Sequence, residues 1–278
     1  MRMAHLSDLH FGKHDEALAA TLAPELLAQE LDVVVISGDF TQRGTEEEFQ
    51  VARKFIDSLN TRVFAVPGNH DVPQANFLRR MIAPYAHYRK YIDPDLEPFL
   101  EVGGVALAGI RTSRRFSLDL NLSNGFIDKG QLRALERRLS EGSPDAVRVV
   151  VAHHPLLYPE TGEPKRQRRV RRADRALQSF SQLGIRLVLS GHFHLSYVRK
   201  HEQPGTVTEG APDGLRRATA APILIAQTSS TTSTRLRGHP NAYNLIKIEG
   251  TEIEIDVREW RDGRWITKER TQEVAPAT

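Results

Sequence analysis

Cysteine is absent from the 278 residues. Its absence excludes disulfides, thiolate metal sites, iron–sulfur clusters and cysteine nucleophiles. Any bound metal must be held by His, Asp, Glu or Asn, which favours hard or borderline ions. No run of eighteen apolar residues occurs, so no transmembrane helix is expected. The N-terminal MRMAHLSDLH has neither an apolar stretch nor a small-residue cleavage site, and a cytoplasmic location is expected. No charge of one sign dominates: the net charge of +3 does not by itself call for nucleic acid. Hydrophobic residues make up 40% and charged residues 26%, near the globular average, which excludes wholesale disorder. No internal repeat and no Pro/Gly/Ser linker divides the chain, so one domain, 1–278, is expected.

Five short apolar segments read as strands covered on both faces: Arg2–Leu6, Asp32–Ile36, Arg62–Val66, Val147–Ala152 and Arg186–Leu189. Helical spacing appears in Glu16–Glu30, where Pro24 interrupts a turn, and in Thr45–Asn60, with Thr45 as cap and Glu48 three residues on. Asp128–Ser140 and Ala173–Leu183 are further helices, the latter ended by Gly184. Alternating strands and helices indicate an α/β layered fold. A helical insert is expected near 72–100. The last third reads as an antiparallel meander that could form a second sheet: Ala221–Ala226, Tyr243–Glu249, Thr251–Glu259 and Arg264–Arg270.

The residues after each early strand carry the chemistry. They are Ser7-Asp8-Leu9-His10, Ser37-Gly38-Asp39, Pro67-Gly68-Asn69-His70-Asp71, His153-His154-Pro155 and Ser190-Gly191-His192-Phe193-His194. Ligands of α/β sheets bind beyond the carboxyl ends of strands. One sheet edge would thus gather three Asp, one Asn and six His. Burying so many ionisable groups bare is costly, and a metal is the economical explanation. Asp8 and His10 can both reach one ion from a strand end. His192 and His194 have the same spacing, and Asp39 has two oxygens with which to bridge.

These five pieces, in this order, resemble the calcineurin-like metallophosphoesterase superfamily (DxH, GD, GNH[DE], H, GHxH). A lone Gly-Asp or His-x-His is a weak signal; the full set spanning 8–194 is strong. The resemblance implies a four-layer α/β/β/α sandwich with two mixed sheets. It implies one ion on Asp8, His10, Asp39 and His194, and a second on Asp39, Asn69, His153 and His192. These would be divalent or mixed-valence Mn, Fe or Zn. It further implies a bridging hydroxide as nucleophile, with His70 stabilising the transition state or protonating the leaving oxygen. Asp71 could orient His70 by a hydrogen bond. Purple acid phosphatases carry a tyrosine ligand where Gln42 stands, so a tyrosinate–iron site is not expected. Phosphoprotein phosphatases carry GDxVDRG and GNHE, against GDFTQRG and GNHD here. The longer resemblance is to bacterial class III cyclic-nucleotide and glycerophosphodiester phosphodiesterases. It rests on SDLHFG, GNHDVP, NGFIDKGQLRALERRL, HHPLLYP and STTSTRLRGHPNAYNLIKI. Hydrolysis of a small phosphodiester is the implied activity. A phosphomonoesterase, a nuclease and a catalytically silent regulatory module are the alternatives.

Other residues carry two readings each. His5 is a core or supporting histidine. Neighbours on an extended chain point opposite ways, so His153 is expected to face the metals and His154 to support them or touch substrate. His14, His201 and His239 read as surface. In the insert, Phe77, Tyr85, His87, Tyr88 and Tyr91 suit an amphipathic packed helix, and Tyr85 and Tyr88 also suit a substrate-contacting wall. Lys165–Arg175 carries seven basic residues, which suit a solvated helix start or a contact with nucleic acid or acidic lipid. Thr228–Thr234 looks like low complexity or a polar loop at the cleft. The partners expected are a small phosphodiester, nucleic acid or acidic lipid through that basic run, and a second copy of the chain.

Overall fold

The computed structural model describes residues 1–114, 124–160, 169–202 and 222–273. Two six-stranded sheets lie face to face, with helices on both outer sides. The first has the order β12-β11-β10-β1-β2-β3 and the second β4-β5-β6-β7-β9-β8. β1 (Arg2–Leu6), β2 (Val33–Ile36) and β3 (Arg62–Ala65) run parallel. So do β5 (Val105–Ile110), β6 (Val147–Ala152), β7 (Ile185–Ser190) and β9 (Ile223–Gln227).

Period-two burial explains why the strands read as unbroken apolar runs. Met3, Val33, Val35, Val149, Val151, Leu187 and Leu189 fill the space between the sheets. Their alternates Ala4, Leu6, Val34 and Ile36 face outward to α1 (Glu16–Leu27) and α2 (Glu46–Ser58). Val150, Ala152 and Val188 face α5 (Lys129–Ser140) and α6 (Ala173–Gln182). Each helix offers a matching stripe: Leu18, Leu22 and Leu26 on α1, and Leu132, Leu135 and Leu139 on α5. Burying one such leucine contributes roughly 1.5–3 kcal/mol. Helix starts follow the expected chemistry. Thr45 and Glu48 form a capping box, as do Asp128 and Gln131. Pro24 sits inside α1, which continues to Leu27.

Two expectations need correction and a third is refined. The five motif-bearing strands do not share one sheet edge: three belong to the first sheet and two to the second, so the motifs meet across the sandwich. The C-terminal strands β10 (Ala242–Glu249), β11 (Glu252–Arg261) and β12 (Arg264–Glu273) form no sheet of their own. β10 pairs antiparallel with β1 and extends the first sheet. The 72–100 segment holds two six-residue helices, α3 (Phe77–Ile82) and α4 (Ala86–Tyr91), and then turns to strand at β4 (Phe99–Val102). β4, β5 and β8 (Tyr197–His201) were not foreseen. No described helix is long and apolar enough to cross a membrane.

Candidate metal centre

The loops after β1 and β2 keep pairing beyond the strands: Asp8 N–H donates to Gly38 O (3.0 Å) and His10 N–H to Asp39 O (3.0 Å). This is possible because the backbone turns left-handed at the motif residues. Nine non-glycine residues among those described have positive φ, and five of them are Asp8 (52°), His10 (51°), Asp39 (57°), His192 (73°) and His194 (57°). Left-handed backbone costs an L-residue about 1–2 kcal/mol, and Asp and His are among the types that tolerate it best. Such strain persists where the surroundings over-determine it, and it concentrates at functional sites.

Two glycines make the required room. A Cβ at Gly68 would fall 2.0 Å from Asp39 Oδ1 and 2.3 Å from Asp39 N. A Cβ at Gly191 would fall 1.8 Å from Ser7 Oγ and 2.5 Å from Asp8 Oδ2.

The donor atoms converge in two overlapping sets. In the first, His194 Nε2 lies 3.1 Å from Asp8 Oδ1, and His10 Nε2 lies 3.6 Å from Asp8 Oδ1 and 3.7 Å from Asp39 Oδ2. In the second, His153 Nε2 lies 3.4 Å from Asp39 Oδ2 and 3.1 Å from Asn69 Oδ1. The His192 ring sits 5.2 Å from that of His153. Ligand atoms held tetrahedrally around one ion stand about 3.3–3.6 Å apart, so these spacings suit a cation. Asp39 Oδ2 is common to both sets, while Oδ1 accepts the His70 N–H (2.8 Å).

The hydrogen bonds behind the rings prepare them as ligands. His10 Nδ1 lies against Thr41 O (3.3 Å), His153 Nδ1 against Ser37 O (2.8 Å) and His194 Nδ1 against Arg235 O (3.2 Å). A carbonyl only accepts, so each Nδ1 carries a proton and a neutral ring offers its Nε2 lone pair inward. His10 Nε2 and His194 Nε2 then face each other at 3.4 Å, lone pair against lone pair, unless a cation or a proton lies between them. Asp8 Oδ1, without accessible surface, accepts no hydrogen bond from the described residues when His194 Nε2, 3.1 Å away, is unprotonated. These are the marks of a cage built for positive charge, and the residues fit two cations.

The electrostatics agree. Burial pushes the carboxyls of Asp8 and Asp39 up, but the surrounding imidazoles outweigh it and hold both well below the usual range. Burial would lower His153, yet the Asp39 carboxylate raises it to about 9. A positive charge between Asp39 Oδ2 and His153 Nε2 is therefore strongly favoured. Burial lowers His10 and His192, which keeps them neutral.

Asp71 does not touch the His70 ring. Its carboxylate accepts from Asp39 N (2.9 Å), Gly68 N (2.8 Å) and Thr41 N (3.0 Å), and so ties the loop of Asp39 to that of Asn69. Burial and the charge of Asp39 push Asp71 up to about 7. What orients His70 is a pair of glutamine groups at Nδ1, the Gln42 carbonyl at 2.7 Å and Gln74 Nε2 at 2.8 Å. The His70 ring stands edge-on to His10 at 4.8 Å.

His154 does not point away from His153. The two rings lie 4.8 Å apart, and the His154 ring is 4.4 Å from His192, because 153–154 have left the strand and strict alternation no longer applies. Its Nδ1 is anchored on Thr112 Oγ1 (2.8 Å). One of its ring nitrogens also lies within 4.8 Å of ligand atoms of His153 and His192, which makes it a candidate third nitrogen donor beside them.

Tyr88 is wholly buried against Phe40, so packing replaces the substrate contact entertained for it. Tyr85 is nearly buried, and its hydroxyl donates to Ser113 O (3.0 Å). Phe77 is 69% exposed and does not pack as expected. His14 is half-buried rather than exposed: its ring sits edge-on to Phe11 and its backbone bridges to Ser233. His201 is likewise half-buried, whereas His239 is exposed. His5 is buried between Ser37 Oγ (2.9 Å) and Asn244 Nδ2 (3.2 Å). Within Lys165–Arg175, residues 165–168 lie outside the described ones, and Arg169 forms a two-point ion pair with Asp174. A large cavity of about 670 Å³ lined by Arg53, Asp57, Arg62 and Asp93 opens at the far ends of β2 and β3, away from the cluster.

Residues 1–196 match the family described as Calcineurin-like phosphoesterase. The chain is 30% identical over 171 residues to glycerophosphodiester phosphodiesterase GpdQ of Enterobacter lignolyticus, a match covering 56% of this chain and 58% of that one. It is 23% identical over 210 residues to a probable cyclic nucleotide phosphodiesterase of Synechococcus, covering 72% and 75%. Against the first of these it therefore spans less than two thirds of the relative's length. Among solved structures, a purple acid phosphatase from yellow lupin superposes with a TM-score of 0.70 at 11% identity, over 98% of this chain and 53% of that one. A dimetal phosphatase from Danio rerio gives 0.64 at 10% identity, over 98% of both chains. Both share the sandwich of two mixed sheets. With the motifs in order, the donors converged and the match over residues 1–196, the chain belongs to the calcineurin-like phosphoesterase family.

Proposed function

We propose that the protein hydrolyses phosphodiesters of small molecules at a centre of two divalent cations. One cation is held by Asp8, His10, Asp39 and His194, the other by Asp39, Asn69, His153 and His192. The observation that carries this reading is the division of labour at Asp39: Oδ1 is fixed by His70 N–H, and Oδ2 faces both donor sets. Cations bound there supply Lewis acidity toward the phosphoryl oxygens and acidify a water into a nucleophile near neutral pH. The nitrogen and oxygen donors suit Mn, Fe or Zn.

The chain's own residues do the rest. Asp71 fixes the backbone that presents Asp39 and Asn69, which makes it a positioning residue. His70, partly exposed beside His10, is held at Nδ1 by Gln42 O and Gln74 Nε2, which leaves Nε2 as the nitrogen free for substrate. From there it can donate a proton to the leaving oxygen, and Gln42 O stabilises the doubly protonated ring. The names of the relatives support a diester rather than a monoester. A complete donor set with His70 in place disfavours a silent module.

The test is turnover of bis(p-nitrophenyl) phosphate and p-nitrophenyl phosphate after chelation and re-addition of Mn, Zn or Fe. The diester should turn over faster, and Asp39→Ala should lose both metal and activity. No metal-dependent turnover of either compound overturns the reading, and a strong preference for the monoester replaces it with a monoesterase.

A further inference from the structure

Residues 228–241 form a loop whose composition conceals its role. Thr228 to Ser233 all bear hydroxyls, yet none is more than 1% exposed. The hydroxyls grip the two turns that carry ligands. Ser229 Oγ donates to His194 O (3.1 Å), Ser230 Oγ to Asp8 O (2.6 Å) and Thr232 Oγ1 to Leu9 O (2.7 Å). Asn241 Nδ2 closes the loop on itself through Ser230 O (3.2 Å) and Ser233 O (3.0 Å). Buried hydroxyls satisfied in this way make a rigid strap.

The strap delivers two arginines to the rim of the metal centre. Arg235 O accepts from His194 Nδ1, and its Nη1 lies 3.5 Å from Gln42 Oε1. Gln42 is the residue whose carbonyl holds His70, so the Arg235 guanidinium stands beside the His70 side of the site. Arg237 follows two residues further along the same loop and is exposed to solvent. Among the described residues neither guanidinium forms an ion pair, whereas Arg53, Arg138, Arg169, Arg258 and Arg270 do. A rigidly placed guanidinium with its fork open matches a carboxylate or phosphate.

We propose that Arg235 and Arg237 form a cationic subsite beside His70 for a second oxyanion of the substrate, carried on the group attached to the scissile phosphoester. This rests on the phosphoester-hydrolase reading and adds a charge preference to it. Substrates with a carboxylate or a second phosphate near the reacting phosphorus are favoured over those with a neutral substituent.

The test compares three ligands on manganese-loaded protein, by calorimetry and as inhibitors of bis(p-nitrophenyl) phosphate turnover. Glycerol 2-phosphate has a neutral remainder, 3-phosphoglycerate adds a carboxylate and glycerol 1,3-bisphosphate adds a phosphate. At least one of the two dianchored ligands should bind about ten-fold tighter than glycerol 2-phosphate, as a charge-assisted contact at a partly exposed site predicts. Whichever binds tighter names the oxyanion. In the double variant Arg235→Gln/Arg237→Gln that ratio should fall to within two-fold, and Arg235→Lys/Arg237→Lys should restore part of it. Equal binding of all three ligands by the unmodified protein overturns the subsite and needs no variant. So does a ratio that survives in the double Gln variant. Failure of the manganese-loaded unmodified protein to bind any of the three while it still turns over bis(p-nitrophenyl) phosphate overturns the subsite, and absence of that turnover overturns the hydrolase reading itself.

Discussion

Gly68→Ala isolates the placement of the Asp39 carboxylate. The substitution adds one methyl group to a residue without a left-handed backbone, so φ/ψ strain does not enter. The added Cβ would lie 2.0 Å from Asp39 Oδ1 and 2.3 Å from Asp39 N, where ordinary contact needs more than 3 Å. One obstacle is backbone, so a side-chain rotation alone does not relieve it, and the two loops must separate by about 1 Å. Overpacking of this kind costs about 1–3 kcal/mol. In a chain of this size that lowers the melting temperature by roughly 2–4 °C per kcal/mol. The separation also strains two bonds that fix the site, His70 N–H to Asp39 Oδ1 and Gly68 N–H to Asp71 Oδ2. A displacement of about 1 Å at reacting groups can cost 100-fold in rate. Calorimetry with Mn²⁺, thermal melting and kcat on bis(p-nitrophenyl) phosphate together give the answer. The expected variant is folded, binds metal more weakly and turns over about 100-fold more slowly. Two metals bound at unchanged affinity with turnover within two-fold would refute the argument that Asp39 is held by this contact.

Three further outcomes are expected. His70→Ala should keep its metal content and lose roughly 10²–10⁴-fold in kcat on an alkyl phosphodiester, with a smaller loss for the good leaving group p-nitrophenolate; full rate on the alkyl substrate removes His70 from the mechanism. His5 is buried and its pKa falls to about 3 by desolvation, against 6.5 when unfolded. The unfolded chain therefore binds the proton first, and stability is lost as pH drops below 6.5, by roughly 2 kcal/mol at pH 5 relative to pH 8. Urea denaturation of metal-free protein at both pH values should show this difference shrink in His5→Gln, and parallel losses in the two proteins contradict it. Tyr85→Phe removes the bond to Ser113 O and should cost about 1 kcal/mol of stability with KM unchanged; a raised KM returns Tyr85 to the substrate wall.

The convergence of the candidate donors was legible because each follows an apolar run that only a buried strand explains, with Gly38, Gly68 and Gly191 marking the close turns. The sheet assignment was less so. β5 reads VALAGI, in which small residues dilute the β-branched signal, and β4 lies in a stretch that aromatic spacing assigned to a helix. That the motifs come from two sheets cannot be read from local pattern, because register and pairing are non-local. Asp71 does not take the role expected of it, which falls to Gln42 O and Gln74 Nε2: adjacency suggested Asp71 for His70, but a carboxylate facing three backbone N–H groups is taken up by them. Of the two readings of Thr228–Thr234, the loop at the cleft holds, but its burial was not legible. Hydroxyl side chains imply solvent unless carbonyls bury with them, and here the carbonyls of Asp8, Leu9 and His194 do.

Anomalous diffraction from crystals soaked with Mn²⁺ puts the central claim to its most direct trial. Two peaks are expected on either side of Asp39 Oδ2, one against Asp8, His10 and His194 and the other against Asn69, His153 and His192. A single peak, or peaks that leave Asp39 Oδ2 out of both, would contradict a shared carboxylate as the organising element of the site.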